Sequence, residues 1–293
     1  MCGRHLNKWF LMVVLLMLLP YAGAESSTVP VGGLFSWEQS AATQDAEQMI
    51  LLMKRYGLTE LYQYFSHKTP KKEIESFLTM AAQRGIRVYL LAGSADWARE
   101  SKGNSLRKVI RQAARWNEEL PEEARFAGVM ADVEPYLLEE WQTDQRDALM
   151  QIYVQSFDAA HKYAAEEDLE LLACIPFFYD TSGCTEALEH LAAQGCDGLA
   201  VMNYLRINEI DQISAEAALA QTYGKRIITI YELQSPGTDG LTDRHTYYNA
   251  GLDALQESYA AIRDAYAPQR VDYALHYYPL LLELDRRSER NAP

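Results

Sequence analysis

The chain has 293 residues, of which 48% are hydrophobic, and its 41 acidic and 27 basic side chains give a formal net charge of −14 at pH 7. An acidic protein repels phosphate backbones and anionic lipid, so the charge argues against nucleic acid and membrane surfaces as partners. The hydrophobic fraction and the length are typical of a globular protein with a sizeable core.

The first 24 residues have the organisation of a secretory signal peptide. Arg4 and Lys8 precede an apolar run over residues 9–19, and the segment closes with the small residues Ala-Gly-Ala. The run is shorter than the about 20 residues that a membrane-spanning helix needs, which favours cleavage after Ala24 over a membrane anchor. We therefore expect a secreted or periplasmic protein in which residues 25–293 form one domain, with no membrane association after cleavage.

After the signal segment, short apolar runs alternate with longer amphipathic stretches such as 70–84 and 141–165. Eight runs predict strands, which begin near Gly33, Leu58, Arg87, Phe126, Leu169, Gly198, Arg226 and Asp272. Eight strands that alternate with helices predict a parallel sheet closed into a (β/α)8 TIM barrel. A doubly wound open sheet is the alternative, but its first strand would lead into a glycine-rich turn, which is missing here. Only about a dozen residues follow strand eight, so we expect the last helix of the barrel to be short or absent.

Cysteine and histidine spacing argues against metal and redox chemistry. The sequence contains no Cys-x-x-Cys pair and no His-x-x-x-His spacing, so we expect no structural zinc, no catalytic metal and no cofactor. Cys2 lies in the signal segment, and the odd number of remaining cysteines, Cys174, Cys184 and Cys196, predicts no disulfide framework.

Strand four ends in two carboxylates, Asp132 and Glu134. With the period of two that a strand imposes, one face carries Ala127, Val129, Ala131 and Val133, and the interior face carries Gly128, Met130, Asp132 and Glu134. Active sites of barrels are built at the carboxyl ends of the strands, so both carboxylates are catalytic candidates. Two carboxylates this close interact, which raises at least one pKa and prepares a proton donor near neutrality. The alternative is a structural pair that accepts hydrogen bonds from a barrel arginine or loop amides.

Strand seven supplies a third catalytic candidate, Glu232, which shares its face with Ile228 and Ile230. Glu134 and Glu232 would then end strands four and seven, where many retaining glycosidases with this barrel place their acid/base and nucleophile. This resemblance implies a two-carboxylate mechanism. Those families usually have Asn before the strand-four Glu, whereas Val133 stands here.

Strand four more closely resembles the chitinase-type glycoside hydrolases, whose signature reads F-D-G-x-D-x-D-x-E. Segment 126–134 keeps the Phe, the Gly, the last Asp and the Glu, whereas Ala127 and Met130 replace the two earlier Asp residues. Met202-Asn203-Tyr204 on strand six is similar to the M-x-Y-D of that family, with Leu205 in place of the Asp. The barrel-type muramidases are more distantly similar and need only the D-x-E pair.

The chitinase resemblance implies a role for each residue. Glu134 would protonate the glycosidic oxygen, Asp132 would orient and stabilise the 2-acetamido group of the substrate as it acts as the nucleophile, and Tyr204 would hydrogen-bond that group. We therefore predict a glycoside hydrolase-like protein that cleaves an oligo- or polysaccharide, with N-acetylamino sugars as candidate constituents. A non-catalytic carbohydrate-binding barrel is the alternative. A metal-dependent hydrolase is a further rival, but His276 is the one histidine predicted at the rim.

Aromatic residues concentrate at the predicted strand ends, and aromatic faces stack on the apolar faces of sugar rings. The predicted substrate-binding residues are Trp37, Tyr64, Trp97, Tyr136, Met202, Tyr204, His276 and Tyr277. Phe178, Tyr179, Tyr231 and Tyr278 also fall near this rim, although any single aromatic residue can instead pack beneath a loop. Glu38 and Asp96 are either further binding groups or solvated loop charges.

Overall fold

The computed structural model describes residues 29–291, so the predicted signal peptide and its cleavage site lie outside the described residues. Eight parallel strands pair in chain order, and β8 pairs with β1 to close the barrel. The strands are β1 Gly32–Ser36, β2 Glu60–Gln63, β3 Arg87–Ala92, β4 Phe126–Asp132, β5 Glu170–Pro176, β6 Gly198–Met202, β7 Arg226–Glu232 and β8 Asp272–His276. The predicted (β/α)8 barrel is confirmed, and each strand begins within two residues of its predicted start.

Helices cover the outside of the barrel. They are α1 Gln39–Thr43, α2 Ala46–Arg55, α3 Lys71–Ala82, α4 Asn104–Asn117, α5 Arg146–Glu166, α6 Thr185–His190, α7 Glu209–Gln212, α8 Ser214–Tyr223, α9 Gly251–Tyr266 and α10 Tyr278–Asn291. Helix α10 has 14 residues, which corrects the expectation of a short or absent last helix. It begins two residues after β8 ends, so almost the whole remaining segment is helical. Within residues 29–291, no helix is both long and apolar enough to cross a membrane.

Strand alternation divides the apolar side chains into two cores. An outer core lies between the strands and the helices, and an interior core fills the barrel with side chains such as Phe35, Tyr62, Met130 and Ile230. Ala127 departs from the predicted alternation because it packs against the interior core. Its strand is irregular there: Val88 pairs with residue 126 and Tyr89 with residue 128, so one extra residue lies between the two pairs.

Charged side chains occupy the amino-terminal end of the barrel. Five strands begin with one of them, namely Glu60 on β2, Arg87 on β3, Glu170 on β5, Arg226 on β7 and Asp272 on β8. The Arg226 guanidinium lies 2.9 Å from the carboxylates of both Glu60 and Asp272. Arg87 contacts Glu60 at 3.3 Å and Glu170 at 2.8 Å. The network therefore brings charges of opposite sign together where the interior would otherwise hold isolated ones.

Glu216 on α8 is a buried carboxyl group. Its side chain is 0% exposed, and neither of its carboxyl oxygens has a hydrogen-bond partner in the described part of the chain. Burial raises the pKa of Glu216 from 4.5 to about 8. Between these values the folded protein holds a proton that the unfolded chain releases, so this group lowers folding stability as the pH rises from about 4.5 to 8.

We expect Glu216→Gln to remove this pH dependence. One proton is worth about 1.4 kcal/mol per pH unit, so between pH 4.5 and 7 the natural protein should lose about 3 kcal/mol of unfolding free energy relative to the variant. Urea unfolding of both proteins across this pH range measures the difference, with exposed Glu257→Gln as the matched control. Parallel stability curves for the natural protein and Glu216→Gln would contradict the expectation.

Candidate active site

Asp132 and Glu134 lie together at the carboxyl end of β4. Asp132 is the last residue of the strand, and Glu134 precedes a short 3-10 turn over Pro135–Leu137. The neighbouring strand β3 approaches closely here, because a side chain at Gly93 would overlap the backbone carbonyl oxygen of Asp132. Backbone packing thus fixes the position of the strand end that carries both carboxylates.

Burial and mutual repulsion make Glu134 a candidate proton donor. Burial, followed by the negative charge of Asp132, raises the pKa of Glu134 from 4.5 to about 7. The hydroxyl group of Tyr136 donates a hydrogen bond to Oε1 of Glu134, and this bond and the nearby His276 oppose the shift. A carboxylic acid with this pKa can hold a proton near neutrality and release it to a leaving group.

Burial also raises the pKa of Asp132, and a thiol that the sequence analysis missed acts on it. Cys174 on β5 pairs directly with Asp132 across the two strands, and its hydrogen bond lowers the pKa of Asp132 against the effect of burial. Oδ1 of Asp132 is buried and has no hydrogen-bond partner within residues 29–291. The pair depends on the register of β4 against β5, which neither strand's own sequence shows.

Glu232 and His276 form a pair at the ends of β7 and β8. Oε2 of Glu232 lies 2.9 Å from Nδ1 of His276, and Oε1 accepts a 2.7 Å hydrogen bond from the backbone N–H of Gln234. The Glu232 side chain is only 2% exposed, whereas His276 is 18% exposed. Ile228 and Ile230 of the same strand lie in the interior core, and the strand period of two predicts Glu232 on their face.

Several predicted binding residues gather at this end of the barrel. Trp37, Tyr136, Tyr204 and Tyr277 pack against the interior core, which also contains Met202. The ring of His276 lies 5.0 Å from that of Tyr277 and 6.1 Å from that of Tyr204. Exposed Tyr64 lies beside Trp37, with ring centroids 6.3 Å apart. The structure thus brings these six side chains and His276 to the same end of the barrel as the carboxylate pair.

Other aromatic residues near the predicted rim belong to the outer core. Trp97 packs against the outer core, as does Phe178, while Tyr179, Tyr231 and Tyr278 are buried in it. Tyr231 shows the reason. Its neighbour Ile230 faces the interior, so strand alternation turns the ring of Tyr231 toward the helices, where its hydroxyl group lies 3.4 Å from Oγ of Ser258. Position at a strand end does not by itself place a side chain in the mouth.

Asp96 and Glu38, the two loop carboxylates for which the sequence leaves two roles open, have different surroundings. Asp96 is exposed and pairs with Arg99, which is the arrangement of a solvated loop charge. Glu38 lies near His276, and burial raises the pKa of Glu38 although the charge of His276 opposes the shift. Oε2 of Glu38 is buried without a hydrogen-bond partner in the described range, so Glu38 rather than Asp96 belongs with the mouth residues.

A cavity of about 1090 Å³ opens at the opposite end of the barrel, where it is lined by residues such as Arg87, Arg125, Glu170 and Asp197. None of the predicted site residues lines it. Across residues 29–291, no group of three or more His, Cys, Asp or Glu side chains is arranged to hold a metal ion.

The fold and the carboxylate pair define a (β/α)8 barrel with ionisable groups at the carboxyl end of its strands. Neither a protein-family model nor a curated protein matches the chain. Among solved structures, it is similar to a GH18 chitinase from Pseudoalteromonas aurantia, with 10% identity, a TM-score of 0.50 and coverage of 87% of this chain and 99% of the chitinase.

Two other barrels show how widely the fold is shared. The GH99 endo-alpha-mannosidase from Bacteroides thetaiotaomicron has 10% identity and a TM-score of 0.52, over 82% of this chain and 68% of the mannosidase. The D-psicose 3-epimerase from Clostridium cellulolyticum has 11% identity and a TM-score of 0.51, over 90% of this chain and 92% of the epimerase. The predicted similarity to glycoside hydrolases is confirmed at the level of the barrel fold. Because an epimerase has the same fold, the fold alone does not identify the reaction, which depends on the residues of the site.

Proposed function

We propose that the protein is a glycoside hydrolase that cleaves O-glycosidic bonds in an oligo- or polysaccharide containing N-acetylamino sugars, with Glu134 as the general acid. The observation that carries the proposal is the carboxylate pair at the end of β4, where burial and Asp132 raise the pKa of Glu134 to about 7. Such a group donates a proton efficiently at neutral pH because its pKa lies near the working pH.

In this reaction Glu134 transfers its proton to the glycosidic oxygen as the bond from that oxygen to the anomeric carbon breaks. Positive charge develops on the sugar ring, and the buried Asp132 carboxylate stabilises it and orients the substrate. Oδ1 of Asp132, which has no partner in the described range, supports such contact with a bound sugar. Trp37, Tyr64, Tyr136, Tyr204 and Tyr277 would supply stacking surfaces and hydroxyl groups for binding.

The segment that resembles a signal peptide supports export of residues 25–293 to the periplasm or the cell exterior, where polysaccharides of this kind are accessible. The alternative function is a non-catalytic carbohydrate-binding barrel, which is favoured by the replacement of two signature Asp residues by Ala127 and Met130. The two functions share the aromatic mouth and differ in turnover.

The test is release of reducing ends by the protein from chitin oligosaccharides, peptidoglycan and partly deacetylated amino-sugar polymers. Release from one of them that disappears in Glu134→Gln establishes the hydrolase and names its substrate class. Binding to one polymer without release from any would replace the hydrolase by the carbohydrate-binding alternative.

A further inference from the structure

The two carboxylates of strand four leave one side of the mouth without a catalytic group. Asp132 and Glu134 are two residues apart on the same strand end, so both approach a bound sugar from the side of β4. Hydrolysis also needs a group that takes the proton of the attacking water, and in a direct displacement that group faces the general acid across the sugar ring. In a closed ring of eight strands, β8 lies diametrically opposite β4.

His276 is the last residue of β8 and has the contacts of an oriented base. Its Nδ1 lies 2.9 Å from Oε2 of Glu232, and this is the hydrogen bond that the ring makes with the described residues 29–291. Its ring contacts Phe35, Tyr204 and Tyr277, with centroids 5.8, 6.1 and 5.0 Å away, which fixes the ring plane. A carboxylate at Nδ1 keeps the proton there and leaves the Nε2 lone pair free to accept another proton.

Glu232 is poorly placed to react with a sugar itself. It is 2% exposed, its Oε1 accepts the backbone N–H of Gln234, and its Oε2 holds His276. A nucleophile needs an open carboxylate oxygen at the anomeric carbon, and neither oxygen of Glu232 is open. The contacts therefore favour a positioning role for Glu232 over the two-carboxylate mechanism in which it forms a bond to the sugar.

We propose that His276 is the base that activates the attacking water, that Glu232 positions it, and that the hydrolase therefore inverts the anomeric configuration. This inference rests on the proposed hydrolase function. The oxygen of water bonds to the anomeric carbon while the bond to the leaving oxygen breaks. Glu134 gives its proton to the leaving oxygen, and Nε2 of His276 takes a proton from the water. The imidazolium then returns its proton to solvent, and Glu134 regains one.

Carboxylates and hydroxyl groups surround His276. Glu232 contacts it directly, while Glu38, Asp132 and Glu134 interact with it electrostatically across the mouth. Tyr204 and Tyr277 are the titratable hydroxyl groups beside its ring. The imidazolium that forms in the reaction is therefore surrounded by carboxylates, which stabilise its positive charge.

The first experiment needs no variant: proton NMR of the sugar released by the natural protein, recorded before the anomers equilibrate. The inference expects the first product to have the anomeric configuration opposite to that of the cleaved bond. A first product with retained configuration overturns the role of His276 but leaves Glu134 and the hydrolase function intact. If the natural protein releases no sugar from any polymer, both proposals fail together.

The second experiment compares His276→Gln, Glu232→Gln and the double variant, with His190→Gln as control because His190 also pairs with a carboxylate, Asp158 at 2.7 Å, but lies on the outer helices. Each single variant should lower kcat by about 10²- to 10⁴-fold with little change in KM. The double variant should lose no more than His276→Gln, because the two residues act as one unit. Losses of the two single variants that multiply in the double variant, or losses that appear in KM and leave kcat unchanged, would overturn the inference.

Discussion

Replacing Glu134 by Gln is expected to lower kcat by about 10²- to 10⁴-fold, because the amide has no proton to give to the leaving oxygen. Gln has the same shape and can still accept the hydrogen bond from Tyr136, so substrate affinity should be retained. Steady-state kinetics on the polymer that the natural protein cleaves, together with binding to that polymer, separate the two effects. The matched control is Glu139→Gln, which changes an exposed carboxylate five residues further along the chain.

The pH profile gives an independent test of the same residue. A general acid works only while it is protonated, so activity should fall as the pH rises through the pKa of Glu134, which is about 7. Asp132→Asn removes a charge that raises this pKa and should move the alkaline limb to lower pH. Tyr136→Phe removes a hydrogen bond that lowers the pKa and should move the limb to higher pH. Limbs that stay in place in both variants would show that another group controls the alkaline side.

The barrel could be predicted because local patterns report directly on strands and helices. The apolar runs and the amphipathic stretches repeat often enough to identify all eight strands. The observed barrel differs from the predicted one at two places, Ala127 and helix α10, and both differences are local. Ala127 faces inward because an extra residue enters the pairing of β3 with β4, and a period-two pattern contains no sign of such an irregularity. Helix α10 forms because it follows β8 almost without a loop, which saves the residues that a connection would use.

The candidate site could be predicted only where one strand carries its own signal. Asp132 and Glu134 belong to a single strand end, so strand direction and alternation were enough to place them. The pairing of Glu232 with His276 joins residues 44 positions apart, and that of Asp132 with Cys174 depends on register between strands. The order of residues in the sequence does not show which side chains form such pairs in the fold. Glu232 was therefore predicted to be a nucleophile with a free carboxylate.

The amino-terminal ion network was missed for the same reason, and it leads to the largest expected effect on stability. Arg226→Met should lower the free energy of unfolding by about 3 kcal/mol, because it removes the cation that Glu60 and Asp272 share and leaves each of them with one remaining arginine, Arg87 at 3.3 Å and Arg270 at 2.7 Å. The side chains of Glu60 and Asp272 are 1% and 3% exposed, and Arg226 is their shared cation. Urea unfolding at pH 7 measures the loss, and Lys71→Met, which breaks the exposed pair with Glu119, should change stability by no more than about 1 kcal/mol.

The second replacement in a double-mutant cycle identifies the cause of that loss. If the loss arises from a stranded Glu60 carboxylate, adding Glu60→Gln to Arg226→Met should restore part of the stability, so the double variant should lose less than the sum of the single losses. Additive losses would instead point to lost packing of the long arginine side chain at the base of the barrel.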